Sequence, residues 1–378
     1  MIPGSANPLL LKSAAGGLQI SRSLRFNSSD SGFLSRVPAV AGDRKKWTWS
    51  MWVKRGAGLG NRQVLFGTGD SGLNNAFEVE FFGNNLRISD TGESGGSIDL
   101  QTTQVFRDCS AWGHLLVSLD TAQTTAADRA NIYWNGVKIT TFGTAVYPGL
   151  STTCLFNTTA AHGIGRAGSY NAQYFSGYLA NIHFIDGQAL IPSSFTETDA
   201  TTGQLIPKTY TGSYGTNGFN LLFADNSSNT ASTLGKDYSG LGNNWTPNNL
   251  SVTAGAGNDS LVDSPTNYGT DTGVGGEVRG NYATLNPLDP AGGYPLTLAN
   301  GNLETTAPSS QWRWRRATWA LTSGKWYWEH TVGSGNYFSG VVTPSWDLNI
   351  TSYTGMYGRQ STDKYNNGTT TSPFSSTT

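Results

Sequence analysis

A chain of 378 residues with a formal net charge of −1 and only 13% charged residues has no bulk attraction for nucleic acid or an anionic membrane. No apolar run approaches the ~20 residues of a helical membrane span, and the N-terminus lacks the basic region of a signal peptide. The 48 glycines and the 12% aromatic share, arranged as short aromatic runs between Gly, Asn, Ser and Thr, are the composition of an all-β protein with many turns. Two cysteines in this length make no disulfide framework. Cys109 and Cys154 could pair once folded, and free thiols in a reducing cytosol are the simpler expectation.

Residues 1–20, with Pro3, Pro8, Gly16 and Gly17, read as an N-terminal attachment arm or a frayed end. Ser23–Phe26 is expected as the first strand and Phe33–Val37 as the second, with Pro38 at its end, where a missing N–H does little harm. The strongest element is Lys46–Lys54. At a period of two, Trp47, Trp49, Met51 and Val53 share one face and Thr48, Ser50, Trp52 and Lys54 the other. That is the pattern of a central sandwich strand with one apolar and one mostly polar face.

Shorter strands are expected at Gln63–Gly67 and Ala76–Phe82. The second puts Phe77, Val79 and Phe81 opposite Glu78, Glu80 and Phe82, then turns at Gly83-Asn84-Asn85 into Leu86-Arg87-Ile88. Trp112–Leu119 aligns Leu115, Val117 and Leu119. Asn135-Gly136 between two strand-like runs is a hairpin signal, because a type I′ turn needs positive φ at both positions. Tyr174–Ile185 is expected to carry Tyr178, Ala180, Ile182 and Phe184 on one face.

These pieces in combination resemble the laminin-G-like, concanavalin A-like jelly roll. The resemblance rests on Trp47-Thr-Trp-Ser-Met-Trp-Val-Lys54, Trp112-Gly-His114, Tyr133-Trp-Asn135-Gly136-Val-Lys138, Gly163-Ile-Gly165-Arg166 and Phe175-Ser-Gly177-Tyr-Leu-Ala-Asn-Ile182. It implies an antiparallel β-sandwich over roughly residues 23–200. Phe219–Phe223, followed by Asp237-Tyr-Ser-Gly240-Leu-Gly242-Asn243, is similar to a stretch that comes first in many relatives. Here it comes last, so it is expected as a permuted closing strand, with the jelly roll covering 21–255. Residues 256–310, rich in Gly, Asn, Thr and Pro, read as an extended connector with local turns. Ser323-Gly-Lys-Trp326-Tyr-Trp-Glu329 and Gly340-Val-Val342 are similar to the opening of SPRY domains. The segment 311–378 is therefore expected as a second, incomplete β-sandwich module, either a fragment or completed by another chain.

The jelly roll hosts lectins and glucanases alike, so the fold does not choose between them. Glucanases of this superfamily carry acids as Glu-x-Asp-x-Glu. The nearest match is Glu78-Val-Glu80-Phe-Phe82, whose third acidic position is a phenylalanine. Glu78 and Glu80 could meet the ~5 Å spacing of a retaining pair, but carboxylates on a solvated strand face are the common outcome. No catalytic, cofactor-binding or metal residue is assigned, and no enzyme is expected. His114, His162, His183 and His330 are scattered, with no pair at metal-ligand spacing. The resemblance admits Ca²⁺ held by loop oxygens, with Asp70 and Asp90 as candidates, although an Asp in a turn commonly bonds its own backbone. Gln311-Trp-Arg-Trp-Arg-Arg316 could stack bases or sugars. At this net charge a strand with a buried Trp face and a wet Arg face is expected instead.

The opening Met1-Ile-Pro, Asn7-Pro-Leu-Leu-Leu11, Ser21–Phe26, Glu197–Gly203, Gly212–Gly218 and Asn243–Leu250 resemble virion structural proteins of tailed bacteriophages, tail-fibre-like or lectin-like. That implies a non-enzymatic particle component, assembled in the host cytoplasm with other virion proteins, commonly as a trimer. It would present its lectin-like domain to host-surface polysaccharide. A capsid or tail decoration protein and a polysaccharide depolymerase are the alternatives.

Overall fold

The structure, a computed structural model, describes residues 17–69, 75–92, 97–168, 172–267, 279–289, 296–306, 314–322, 326–333, 337–344, 346, 354–360 and 363–371. In chain order the strands are β1 (Ser23–Phe26), β2 (Phe33–Arg36), β3 (Lys46–Arg55), β4 (Gln63–Gly69), β5 (Ala76–Phe82), β6 (Asn85–Asp90), β7 (Ile98–Val105), β8 (Gly113–Asp120), β9 (Ala130–Trp134), β10 (Val137–Lys138), β11 (Phe142–Val146), β12 (His162–Ile164) and β13 (Gly177–Asp186). Then come β14 (Thr196–Thr198), β15 (Leu205–Pro207), β16 (Phe219–Leu221), β17 (Thr246–Asn248), β18 (Ser260–Leu261), β19 (Thr297–Ala299), β20 (Glu304–Thr306), β21 (Phe338–Val342), β22 (Met356–Gln360), β23 (Asp363–Asn366) and β24 (Thr369–Thr371).

Two antiparallel sheets enclose one core, giving the jelly-roll sandwich that the sequence resemblance implies. The first runs β10-β9-β8-β3-β13-β1-β18, with β16 also bonded to β13. The second runs β11-β7-β6-β5-β4-β12-β2-β17. The inward residues of β3 supply the centre. Trp49 stacks on Phe66 with centroids 3.7 Å apart, and Trp47 meets Phe77 edge-on at 5.5 Å. Offset and edge contacts of this kind add to the burial of large rings. Asn135 and Gly136 take φ of 48° and 82° in the β9–β10 hairpin, as a type I′ turn requires.

One face assignment, in β13, needs correction, and the face of β3 expected to be mostly polar is as assigned but covered. The outward face of β3 is dry: Thr48, Ser50, Trp52 and Lys54 are all buried. Ile20 and Ala180 close over Trp52. Leu116, Ile185 and Phe195, with Tyr210 and Tyr214, form a second apolar patch on that side of the sheet. The period of a strand tells which residues alternate, not which distant segment returns to cover them. In β13, Tyr178 and Ala180 do not share a face with Ile182 and Phe184. Asn181, at φ 45°, sits in a bulge between the pairs Ala180–Trp52 and His183–Ser50. Leu179 therefore faces the core before the bulge, and Ile182 and Phe184 face it after.

The bulge marks where β13 changes partner. On one side it bonds β1 through residues 177–179 and β16 through 182–184, so the two short strands lie end to end. The turn after β16 is tied by Asp237. Its carboxylate accepts from the Asn220, Ser239 and Asn243 amides at 2.8–2.9 Å and from the Ser239 hydroxyl at 2.7 Å. The Asp-x-Ser-Gly-x-Gly-Asn run is thus a structural knot.

The expected connector over 256–310 lies in part against the first sheet. β18 pairs with β1, buried Arg25 bonds Asp259 Oδ1 at 3.1 Å, and Tyr178 donates to Gly301 O at 2.6 Å. Further on, β21–β24 form a four-stranded antiparallel sheet beside an aromatic cluster of Trp314, Phe338, Trp346 and Tyr365. Of Ser323–Glu329, expected as a SPRY-like opening strand, residues 326–329 are described and are not in a strand, and Tyr327 is 83% exposed. Residues 323–325 lie outside the described residues.

Candidate functional site

The outward face of the second sheet carries a connected group of charged side chains. Its register sets Asp99, Ser89, Glu78, Gly67, Gly163 and Ser35 in one row across the strands. The next row reads Gln101, Arg87, Glu80 and Val64. The glycines admit a roof over part of this face. A Cβ on Gly163 would stand 3.3 Å from both Arg166 Cγ and Gly168 O, and the Arg166 guanidinium lies 3.6 Å from the Phe33 ring centre. The β5–β7 part of the sheet carries a different set of groups.

There, Glu78 and Glu80 are not on a wet face: they are 2% and 0% exposed. One guanidinium covers both. Arg62 Nη2 bonds Glu78 and its Nε bonds Glu80. Arg87 Nη1 lies 3.5 Å from Glu80 Oε1, and the same guanidinium grips Asp99 bidentately at 2.7 and 2.8 Å. Phe82, 39% exposed, sits between them, with the Arg62 and Arg87 guanidinium carbons 5.9 and 5.0 Å from its ring centre. Burial pushes the Glu78 carboxyl up to about 7 against the pull of Arg62, and the Glu80 charge adds to the rise. Burial likewise raises Glu80, opposed by its bond to Arg62. Bridged and buried, neither acid stands free as a nucleophile or proton donor toward a substrate on the outer face. What reaches solvent is a flat aromatic ring flanked by two guanidiniums and the Asp99 carboxylate, 32% exposed at its side chain.

Removing Arg62 should strand two buried carboxyls. Arg62→Met is expected to cost about 2–3 kcal/mol at pH 8, below the ~3–5 kcal/mol of a fully buried pair because Arg62 keeps 29% exposure. The loss should shrink at pH 5.5, where the freed acids take up protons. Urea unfolding at the two pH values checks this, and an equal loss at both would contradict it.

The other sequence candidates are structural in their surroundings. His114, His162 and His183 are buried, and His330 meets the Tyr337 ring at 5.4 Å. Asp90 accepts the Gly92 and Leu155 amides at 2.9 and 3.0 Å, while Asp70 lies outside the described residues. Among the described residues no group of three or more His, Cys, Asp or Glu is placed to hold a metal ion. Cys109 and Cys154 are free and buried, and burial pushes each thiol up to about 12. Of the basic aromatic run, residues 311–313 lie outside the described residues. Trp314 packs on Trp346, and Arg316 pairs bidentately with Asp289 at 2.7 and 2.9 Å. Sequence reasoning missed Arg62, Arg87, Asp99 and exposed Phe82 as one group. One signal was available: a tight turn at Gly83-Asn84 sets Arg87 opposite Glu80.

Residues 27–192 match a family model described as the concanavalin A-like lectin/glucanases superfamily. No curated protein matches the chain. Among solved structures, the chain is similar to a heptameric SAP-like pentraxin from Limulus polyphemus at 16% identity and TM-score 0.31, covering 46% of this chain and 80% of that one. It is similar to a putative carbohydrate binding protein from Bacteroides ovatus at 15% identity and TM-score 0.37, covering 61% and 59%. It is also similar to domains LG4-5 of mouse laminin alpha1 at 13% identity and TM-score 0.32, covering 52% and 48%.

Proposed function

We propose that the chain is a structural component of a tailed-bacteriophage particle. In this reading it is a tail-fibre or receptor-binding protein, assembled as a homotrimer with other virion proteins. Its jelly roll binds host-surface glycan, without catalysis, through the patch at Phe82, Arg62, Arg87 and Asp99. The observation that carries the binding site is the exposed Phe82 ring held between two guanidiniums beside a carboxylate. A flat ring receives the C–H face of a pyranose, and the planar donors and the carboxylate suit its hydroxyls. The virion assignment is supported by the sequence resemblance alone.

Purified wild-type chain should bind polysaccharide from the host surface. Phe82→Ala should weaken that binding about tenfold, or ~1.4 kcal/mol, with little change in stability because the ring is partly solvated. Gold-tagged antibody against the jelly roll should label tail tips or fibres on intact particles. Label over the head, with no affinity for polysaccharide, would favour the decoration reading. Release of reducing ends by the chain would overturn the non-catalytic one.

A further inference from the structure

The outward face of β3 holds a lysine with no access to water. The Lys54 side chain is 0% exposed, and its Nζ has three acceptors: Asp263 Oδ2 at 2.8 Å, Asn281 Oδ1 at 2.8 Å and Tyr282 O at 2.7 Å. Each neighbour is itself fixed. Trp112 Nε1 donates to Asp263 Oδ1 at 2.9 Å, and Asn281 Nδ2 donates to Ser110 O at 2.6 Å. The Tyr178 ring centre lies 5.6 Å from the amine. One amine is thus held in contact with both a carboxyl and a carboxamide in an aromatic-walled site, although the three are far apart in sequence.

We propose that Lys54 and Asn281 become joined by an intramolecular amide bond, with Asp263 moving the protons. A buried ammonium and carboxylate are each costly to keep charged, so transfer of one proton from Nζ to Asp263 neutralises both at once. The lone pair this frees on Nζ can turn to Asn281 Cγ, whose carboxamide is anchored by Ser110. Desolvated lysine is an effective nucleophile, and held contact removes the entropy of encounter. Nζ–Cγ forms while the carbonyl π pair moves to Oδ1. The pair returns as Cγ–Nδ2 breaks, and the protons shed by Nζ pass through Asp263 to Nδ2. An ammonium side chain and a primary amide become a secondary amide and an ammonium ion. Atoms and charge balance with no oxidant, metal or cofactor. The product would tie β3 covalently to Asn281, in a chain whose cysteines are both free.

The test is mass spectrometry of the full chain after denaturation. Trypsin cuts after Lys46, Arg55, Arg279 and Arg313. The expected digest holds Trp47–Arg55 joined to the peptide 280–313, lighter by one ammonia than the sum of the two. Lys54→Arg and Asn281→Ala should each abolish the joined peptide and restore the intact mass, and Asp263→Asn should abolish or sharply reduce it. Circular dichroism reports whether each variant folds. If none does, the wild-type digest still decides. Separate wild-type peptides of full mass would overturn the proposal. So would a joined product lighter by one water and mapped to Asp263, which would assign the bond to the wrong acyl partner.

Discussion

Trp49→Ala is expected to destabilise the sandwich by about 3–5 kcal/mol, a large share of the ~5–15 kcal/mol that holds a typical domain folded. The ring is fully buried, stacks on Phe66, meets Phe156 and Phe219 edge-on and touches Phe184. It joins the two sheets, since Trp49 belongs to the first and Phe66 to the second. Truncation would leave a cavity whose walls are held by two ladders and cannot collapse into it. Trp49→Phe should cost much less. It keeps a stacked ring and deletes an Nε1–H that has no hydrogen-bond partner, so part of the lost packing is offset by removing an unpaired buried donor. Urea midpoints for the two variants check the ordering. A phenylalanine as damaging as alanine would mean that the indole, not the stack, holds this part of the core.

The inward half of the fold was legible because it is local. Trp47, Trp49, Met51 and Val53 alternate without interruption, as do Phe77, Val79 and Phe81, and all reach the core. The outward half was not. Whether Ser50, Trp52 and Lys54 meet water depends on distant chain, from Ile20 before the strand to Asp263 and Asn281 more than 200 residues after it, and no periodicity within β3 records that cover. The β13 faces were misread for a different reason. One residue at positive φ shifts the register, and Asn181 looks like any other strand position in sequence. The candidate site was half legible. Glu78 and Glu80 stood out as same-face acids, but their neutralisation by Arg62 and Arg87 depends on strand register and on a loop residue before β4. Phe82 stands where a third acid would complete the glucanase pattern, and its ring is exposed.

Acidification should unfold the sandwich through its histidines. Each of the three buried rings is held neutral. His162 accepts the Asn157 amide on Nε2 at 3.1 Å and contacts Ala160 O through Nδ1 at 2.8 Å, which fixes a neutral tautomer. His114 contacts Ser50 Oγ at 2.8 Å and His183 contacts Tyr214 OH at 3.0 Å, and each has its other ring nitrogen buried with no partner. A second proton would place an unpaired N–H and a charge in that interior. Burial accordingly pulls His114 and His183 down to about 3 and His162 down to about 4, from 6.5. Their stabilising effect is complete above the unfolded pKa of 6.5 and is lost as pH falls toward the folded values, because the unfolded chain binds protons that the fold refuses. Glu78 acts in the opposite direction. Its folded pKa is raised from 4.5 to about 7, so its contribution grows as pH falls through that window. Three protons favouring the unfolded chain against one favouring the fold leave at most two, or about 3 kcal/mol per pH unit between pH 6.5 and 4.5, and raised Glu80 trims this further. Urea unfolding should therefore show stability falling steeply across that interval. His183→Gln, which cannot be protonated, should move the acid midpoint to lower pH. Stability that stays level or rises from pH 6.5 to 4.5 would mean that the buried imidazoles find partners for their second proton.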